Sequence, residues 1–225
     1  MSINEMKKYC GDLICTDANT DFMVKDDFIA SYNEVVNTDT RGYLGNYDIR
    51  WRIHTILWAA HTVKDLEGDF VDCGGGFGFF MSSIYKYLDF ENISKQYFMF
   101  DSFKGTSPEY DETNHFSKYG SWYDDIVKNH SNKKNLSIIE GYLPSTLRTV
   151  DIKKICFLSI DLNSYKPEIE CMEILWDKIV SGGIIVLDDY GFPSCESQLY
   201  HHNEFIEKKN KKILTLPTGQ GLIIK

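Results

Sequence analysis

From about Thr40 onward the chain alternates between short apolar runs rich in Val, Ile and Phe and longer amphipathic stretches. Uninterrupted apolar runs suit strands covered on both faces, and the amphipathic stretches suit the helices that cover them, so the pattern predicts a parallel α/β sheet with crossover helices. The strands run from Asp69 to Cys73, Gln96 to Asp101, Leu136 to Glu140, Ile155 to Asp161 and Gly183 to Asp188, and Lys212 to Leu216 and Gly221 to Lys225 close the chain. The link Pro217-Thr218-Gly219 leaves no room for a crossover helix, which makes the last two strands antiparallel neighbours. Ahead of the sheet, Asp48 to Leu66 carries Ile49, Ile53, Ile56, Leu57, Ala60 and Val63 at helical spacing and predicts a helix against the sheet or over its mouth. A second helix is expected over Asp26 to Val36, within a polar N-terminal segment that reads as a cap or lid. No repeat or linker divides the 225 residues, so the expectation is a single domain, with residues 1–66 as a helical cap and 67–225 as its core.

The first strand runs into Asp72-Cys73-Gly74-Gly75-Gly76-Phe77-Gly78, and an amphipathic segment, Phe79 to Leu88, follows at once. A glycine-rich turn between strand and helix lets the backbone pass close to a ligand and turns free N–H groups toward it. The spacing decides which ligand. A dinucleotide fingerprint counted from Gly74 and Gly76 places Phe79 where a small residue is needed for close helix packing. The pattern present instead has glycines at 74, 76 and 78 after the acidic Asp72, and it resembles the S-adenosylmethionine loop of class I methyltransferases. Asp101, ending the second strand in Asp101-Ser102-Phe103, suits a carboxylate that accepts from a ribose diol. Gly141 and Tyr142, after the third strand, are then expected near the adenine.

Carboxylates also end the next two strands: Asp161 ends the fourth, and Asp188 with Asp189 ends the fifth. Ligands of doubly wound sheets collect at the carboxyl ends of strands, so these three acids are expected to converge. Carboxylates a few Å apart raise one another's pKa until a proton or a cation sits among them, and an all-oxygen set suits a hard divalent ion, Mg²⁺ in the first instance. The alternative is that Asp161 bonds the cofactor while Asp188 and Asp189 cap the following segment.

Composition narrows the partners. With 33 acidic against 24 basic residues and a net charge of -9, the chain repels a phosphate backbone, and nucleic acid is not expected as a partner. Lys208, Lys209, Lys211 and Lys212 read as a solvated helix end. No apolar run reaches membrane-spanning length and Met1 to Lys8 has no leader pattern, so a cytoplasmic location away from membranes is expected. The six cysteines form no C-x-x-C pair and read as buried free thiols.

Several segments in order, Trp51-Arg52-Ile53-His54, Gly68 to Gly74, Asp101-Ser102-Phe103-Lys104-Gly105, Asp161-Leu162-Asn163-Ser164-Tyr165-Lys166-Pro167, Gly182 to Gly191 and Pro217 to Gly221, are similar to the macrocin O-methyltransferase (TylF-like) family. The resemblance covers roughly Arg41 to Lys225. It implies a Rossmann-like class I methyltransferase fold, α/β, with seven mostly parallel strands in the order 3-2-1-4-5-7-6 and strand 7 antiparallel. It implies Mg²⁺-dependent transfer of a methyl group from S-adenosylmethionine to a hydroxyl of a sugar, glycan or natural-product precursor, free or nucleotide-linked, with the metal on Asp161, Asp188 and Asp189. Where the family pattern reads D-x-D-x-Y, this chain has Asn163, and an amide takes no proton at neutral pH. Asn163 is then expected to orient the acceptor, with either a metal-bound acceptor hydroxyl of lowered pKa or a histidine replacing the acid; His115, in the polar stretch Lys104 to Gly120 read as a lid, is the candidate base. His54 is expected to face the cofactor or the core, while His201 and His202 are expected on the surface of an outer helix. Two other readings remain at this point: a nicotinamide-dependent oxidoreductase, against which Phe79 and the final hairpin argue, and a catalytically altered binding module, suggested by Asn163. The aromatic N-terminal helices are a candidate homodimer surface.

Overall fold

The computed structural model describes residues 9–45, 47–110 and 120–225. A two-stranded antiparallel hairpin of β1 (Tyr9–Gly11) and β2 (Ile14–Thr16) is followed by α1 (Asp26–Thr38) and α2 (Arg50–Val63). The remaining elements alternate: β3 (Asp69–Cys73), α3 (Phe79–Leu88), β4 (Tyr97–Asp101), α4 (Tyr123–His130), β5 (Leu136–Glu140), β6 (Ile155–Ile160), α5 (Tyr165–Leu175), β7 (Ile179–Leu187), α6 (Glu196–Lys208), β8 (Leu214–Thr215) and β9 (Gly221–Ile224). Seven strands form one sheet in the order β5-β4-β3-β6-β7-β9-β8, parallel except for β9, which is antiparallel to both neighbours. Counted from the first sheet strand, this is the expected order, a Rossmann-like methyltransferase sheet. No described helix is long and apolar enough to cross a membrane.

The pleat of the sheet sorts its side chains into two cores. On β7 and β9, Ile184, Val186 and Leu222 join the helices α1, α2 and α3, whereas Ile185, Leu187 and Ile223 join α5 and α6 on the opposite face. The buried side of α2 is made by Ile53, Ile56, Leu57, Ala60 and Val63, the residues whose spacing predicted the helix. That places the N-terminal end of α2, and with it Arg52, beside the carboxyl ends of the central strands.

Three features depart from expectation. The strand β7 begins at Ile179 rather than Gly183, because Gly182 takes a φ of 81° and the pairing with β6 shifts register between Ile155 and Phe157. A glycine pair within a strand marks an irregularity of this kind, and it reads in the sequence as a break. The hairpin β1–β2 was not anticipated, because its turn places Asp12 and Leu13 at φ of 44° and 66°, positions where Asn and Gly are the usual signal. Across that hairpin Cys10 and Cys15 lie directly opposite and are joined in a disulfide, which corrects the reading of all six cysteines as free thiols. Of the others, Cys73, Cys156 and Cys171 are buried and free as expected, and Cys195 is free but half-buried.

Candidate active site

Parallel register brings the strand ends level. Cys73 pairs with Phe100 and Ile160, and Ile160 with Leu187, so the residues that follow these ends emerge side by side at the topological switch point between β3 and β6. Backbone bonds extend the alignment one residue further: Asp161 N donates to Cys73 O at 2.9 Å, Asp188 N to Ile160 O at 3.0 Å and Gly141 N to Asp101 O at 2.9 Å. Above them opens a cleft of about 640 Å³.

The glycine turn forms one half of this cleft. Gly74 has a φ of 92°, and a Cβ on it would lie 1.9 Å from the Asp161 carbonyl oxygen, so only glycine lets β3 turn this close to β6. Gly76 has a φ of 53°, and a Cβ there would meet nothing nearer than 3.9 Å because it would project into open space in the cleft. Asp101 clamps the turn. Its Oδ2 accepts from Gly76 N at 2.8 Å and its Oδ1 from Phe103 N at 2.5 Å, which leaves each oxygen a further acceptor site for a diol. Burial raises the Asp101 pKa and the two N–H bonds pull it back down. Trp122 secures the turn from above, donating from Nε1 to Gly76 O at 2.9 Å while its ring stacks on Phe77. The cleft wall continues through Ser102, Gly141 and Tyr142.

The other half is acidic. Ligand oxygens of Asp161, Asp188 and Asp189 all lie within 4.8 Å of one another. Burial first, and the neighbouring Asp188 and Asp189 charges next, push the Asp161 pKa well above the usual carboxylate range. For Asp189, burial and then Asp188 push it up to about 7. Among the described residues, Arg52 answers this charge. Arg52, 7% exposed, places Nη1 2.6 Å from Asp188 Oδ2 and 3.8 Å from Asp189 Oδ1, and donates to the carbonyls of Asp188 and Thr218 at 3.0 and 3.1 Å. Its Nε and Nη2 reach Asp12 at the hairpin tip, at 3.2 and 3.3 Å. Burial opposes the guanidinium charge, but Asp188 and Asp12 hold its pKa above the ordinary value. Gln220 Nε2 donates to the remaining Asp188 oxygen at 3.0 Å. Both oxygens of Asp188 are thus engaged, while Asp161 and Asp189 carry the less satisfied carboxylates. A hard cation fits this donor set: three converging carboxylates against a single guanidinium leave a net negative charge in a site that burial makes costly.

Asn163 takes a left-handed φ of 56°, which Asn tolerates better than most residues, and its Nδ2 donates to Asp161 Oδ1 at 3.2 Å. A carboxylate at this position would meet Asp161 as a like charge, so the amide ties down the residue that an acid would repel.

The structure brings together at the cleft Gly74, Gly76, Asp101, Ser102, Gly141, Tyr142, Asp161, Asn163, Asp188 and Asp189. Three of the expected cofactor residues stand behind it instead. Asp72 is 0% exposed, accepting from Tyr97 Oη at 3.2 Å and Ser159 Oγ at 2.8 Å beneath the turn, and burial pushes its pKa up to about 7 against those two bonds. Phe103 is buried against Tyr123, and Gly78 is the left-handed N-cap of α3. His115 lies outside the described residues. His54 does not line the cleft; it stacks on Phe22 of the N-terminal segment at 3.8 Å between ring centroids and meets the core residue Phe28 edge-on. Contrary to expectation, His202 is not on the surface: it is 1% exposed, with Nε2 2.8 Å from Glu168. His201 is half-exposed and stacks on Tyr165. Arg52, Gln220 and Asp12 are the site residues that motif reasoning missed. Arg52 and Gln220 stood within the quoted segments, but the segments alone gave them no partner.

The chain matches the family described as Macrocin-O-methyltransferase (TylF) over residues 50–215. Among solved structures it is similar to the O-methyltransferase NovP, with a TM-score of 0.65 and 19% identity over 77% of this chain and 79% of that one. It is also similar to the calicheamicin methyltransferase CalS11, with a TM-score of 0.62 and 13% identity over 88% of this chain and 91% of that one. An apo structure of CalS11 describes that enzyme as a TDP-rhamnose 3'-O-methyltransferase. A third similar structure is the SAH-bound Podospora anserina methyltransferase PaMTH1, with a TM-score of 0.55 and 15% identity over 89% of this chain and 88% of that one. At these identities the structural likeness establishes the fold. A comparison with curated protein sequences finds no match.

Proposed function

The chain belongs to the macrocin O-methyltransferase (TylF) family of S-adenosylmethionine-dependent methyltransferases, and from that membership we propose that it methylates a hydroxyl of a sugar or sugar-bearing small molecule, with a divalent cation on Asp161, Asp188 and Asp189. The observation that carries the reading is the convergence of these three carboxylates beside the glycine turn in one cleft. The sugar class is supported by the similar structure of CalS11, a TDP-rhamnose 3'-O-methyltransferase.

When bound, S-adenosylmethionine supplies an electrophilic methyl group on a sulfonium centre, and the cation supplies a Lewis acid for the acceptor oxygen. The remaining work falls to the chain. Gly74 to Gly76 allow close backbone approach, and the open acceptor sites of Asp101 suit a ribose diol. Asn163 fixes Asp161 through its amide and keeps its carbonyl oxygen free to accept from an acceptor hydroxyl. Arg52 and Gln220 hold Asp188 in one orientation. Phe77, Trp122 and Tyr43 pack over the turn and limit water on the glycine side. Alignment of nucleophile and methyl carbon is the main source of rate in such a transfer.

Labelled methyl transfer from S-adenosylmethionine to a panel of free and nucleotide-linked sugars tests the activity. Transfer to at least one sugar, lost with EDTA and recovered with Mg²⁺, is expected; transfer that is indifferent to EDTA removes the cation from the reading.

The raised carboxylates also make stability depend on pH. Because burial and mutual repulsion raise Asp161 and Asp189, their contribution to stability is fully present below the unfolded carboxylate pKa and is lost as pH rises through the folded values, about 7 for Asp189. A cation relieves that loss, so Mg²⁺ at a hundredfold excess over Kd should raise Tm by about 5–10 °C at pH 8. At pH 5 the rise should be much smaller. Equal shifts at both pH values in thermal denaturation would contradict the assignment.

A further inference from the structure

Behind the acidic loop lies a polar group that the chemistry above leaves unused. Glu168 stands in the first turn of α5 and is 3% exposed. Its Oε1 accepts from Leu162 N at 3.2 Å and from Gln198 Nε2 at 3.0 Å, and its Oε2 meets His202 Nε2 at 2.8 Å. Gln198 and His202 are both buried and one turn apart on α6, so a single face of that helix supplies both partners. Burying a carboxylate costs several kcal/mol unless it is paired, and apolar side chains would pack α5 on α6 at least as well. What the carboxylate adds is a grip on the N–H of the peptide joining Asp161 to Leu162. That turn needs holding: Asn163 is left-handed within it, and Ser164 then returns to extended backbone at the start of α5.

We propose that Glu168, braced by Gln198 and His202, is a positioning residue that fixes the Asp161–Asn163 turn in the geometry a divalent cation requires. The inference rests on the cation reading of the site. Glu168 also deepens the negative potential there, since its charge adds to the burial and to the Asp188 and Asp189 charges that raise Asp161. Groups that hold metal-ligating residues from behind typically change metal affinity by about 10–100-fold when removed.

The test is calorimetric titration of Mn²⁺, with S-adenosylhomocysteine titrated separately as a second readout, on the wild type, Glu168→Ala and Glu168→Gln. Glu168→Ala should weaken Mn²⁺ binding by about tenfold or more. Its affinity for S-adenosylhomocysteine should stay within about twofold, because the glycine turn keeps bonds of its own, Gly74 N and Gly75 N to Phe100 O and Gly76 N to Asp101, that do not involve Glu168. Glu168→Gln keeps a carbonyl to accept from Leu162 N and should recover to within about threefold of the wild-type Mn²⁺ affinity. If Glu168→Ala does not fold, His202→Leu removes the brace at similar volume and carries the same expectation and the same refutation. Unchanged Mn²⁺ affinity in the folded variant, or a parallel fall in both affinities, overturns the positioning role alone. A wild-type chain that binds no Mn²⁺ overturns the cation reading and this inference with it.

Discussion

Arg52→Met should lower stability at pH 8 by about 3–5 kcal/mol, because removing one partner of a buried ion pair leaves the other as an uncompensated buried charge. For a chain of this size the loss corresponds to a fall in Tm of about 6–20 °C. The guanidinium answers Asp188 at 2.6 Å and Asp12 at 3.2 Å, and both carboxylates are nearly inaccessible. Arg52 also lowers the pKa values of Asp161 and Asp189 against burial and the Asp188 charge, so without it both shift further upward. The penalty should therefore shrink toward pH 5, where Asp161 and Asp189, both raised, take up protons and the negative charge beside the vacated position falls. Arg52→Lys should restore less than half of the loss, because one ammonium cannot reproduce a fork that serves Asp12, Asp188 and the Thr218 carbonyl together. Thermal melts at pH 5 and pH 8 on the three proteins are the check; a wild-type melt for Arg52→Met at pH 8 rules out this account of the site.

Gly74→Ala should be the most damaging small substitution in the cleft. The added Cβ would sit 1.9 Å from the Asp161 carbonyl oxygen and 2.6 Å from its carbon, both backbone atoms that side-chain movement cannot clear, at a φ of 92° that alanine avoids. The ends of β3 and β6 must separate, which moves the glycine turn and Asp161 at once. Affinity for S-adenosylhomocysteine should fall by about a hundredfold, equivalent to about 2.7 kcal/mol. Mn²⁺ affinity should fall in parallel, since the displaced carbonyl belongs to one of the three acids. Gly76→Ala provides the contrast: its Cβ meets no protein atom nearer than 3.9 Å, so its cost is the left-handed φ of 53° and crowding on the ligand side, without forcing β3 from β6. Titration of both ligands on both variants separates the two, and retention of either affinity in Gly74→Ala contradicts the proposed coupling.

The parts of this site legible in the sequence are those that depend on local order along the chain. Apolar runs located the strands to within a few residues, and a carboxylate immediately after such a run must emerge at a strand end, which is why Asp101, Asp161, Asp188 and Asp189 could be read as one cluster. Asp72 shows the limit of that argument. It precedes its strand end by one residue, and the side chain turns beneath the loop toward Tyr97 and Ser159 rather than into the cleft. Arg52 and the Glu168–His202 pair were not legible, because each depends on how one helix packs on a distant element. The acidity of Asp188 is visible in a segment, whereas the partner that answers it lies 136 residues away. His202 sits in a segment whose neighbours are exposed, so only the packing of α6 on α5 shows it to be buried.

Arg52 ties Asp12, Asp188 and Thr218 together across sequence separations of 40, 136 and 166 residues. Contacts of this range form only after the intervening chain has been ordered. During synthesis the N-terminal helices and the first strands emerge well before residues 188–220, so Arg52 spends most of that time without its partners. The acidic half of the cleft is completed only when β9 inserts between β7 and β8, bringing Thr218 and Gln220 to Asp188. The residues of the glycine half lie on or just after β3, β4 and β5, and the seat of Gly74 on the Asp161 carbonyl waits only for β6, whereas the acidic half waits for the last strand of the sheet.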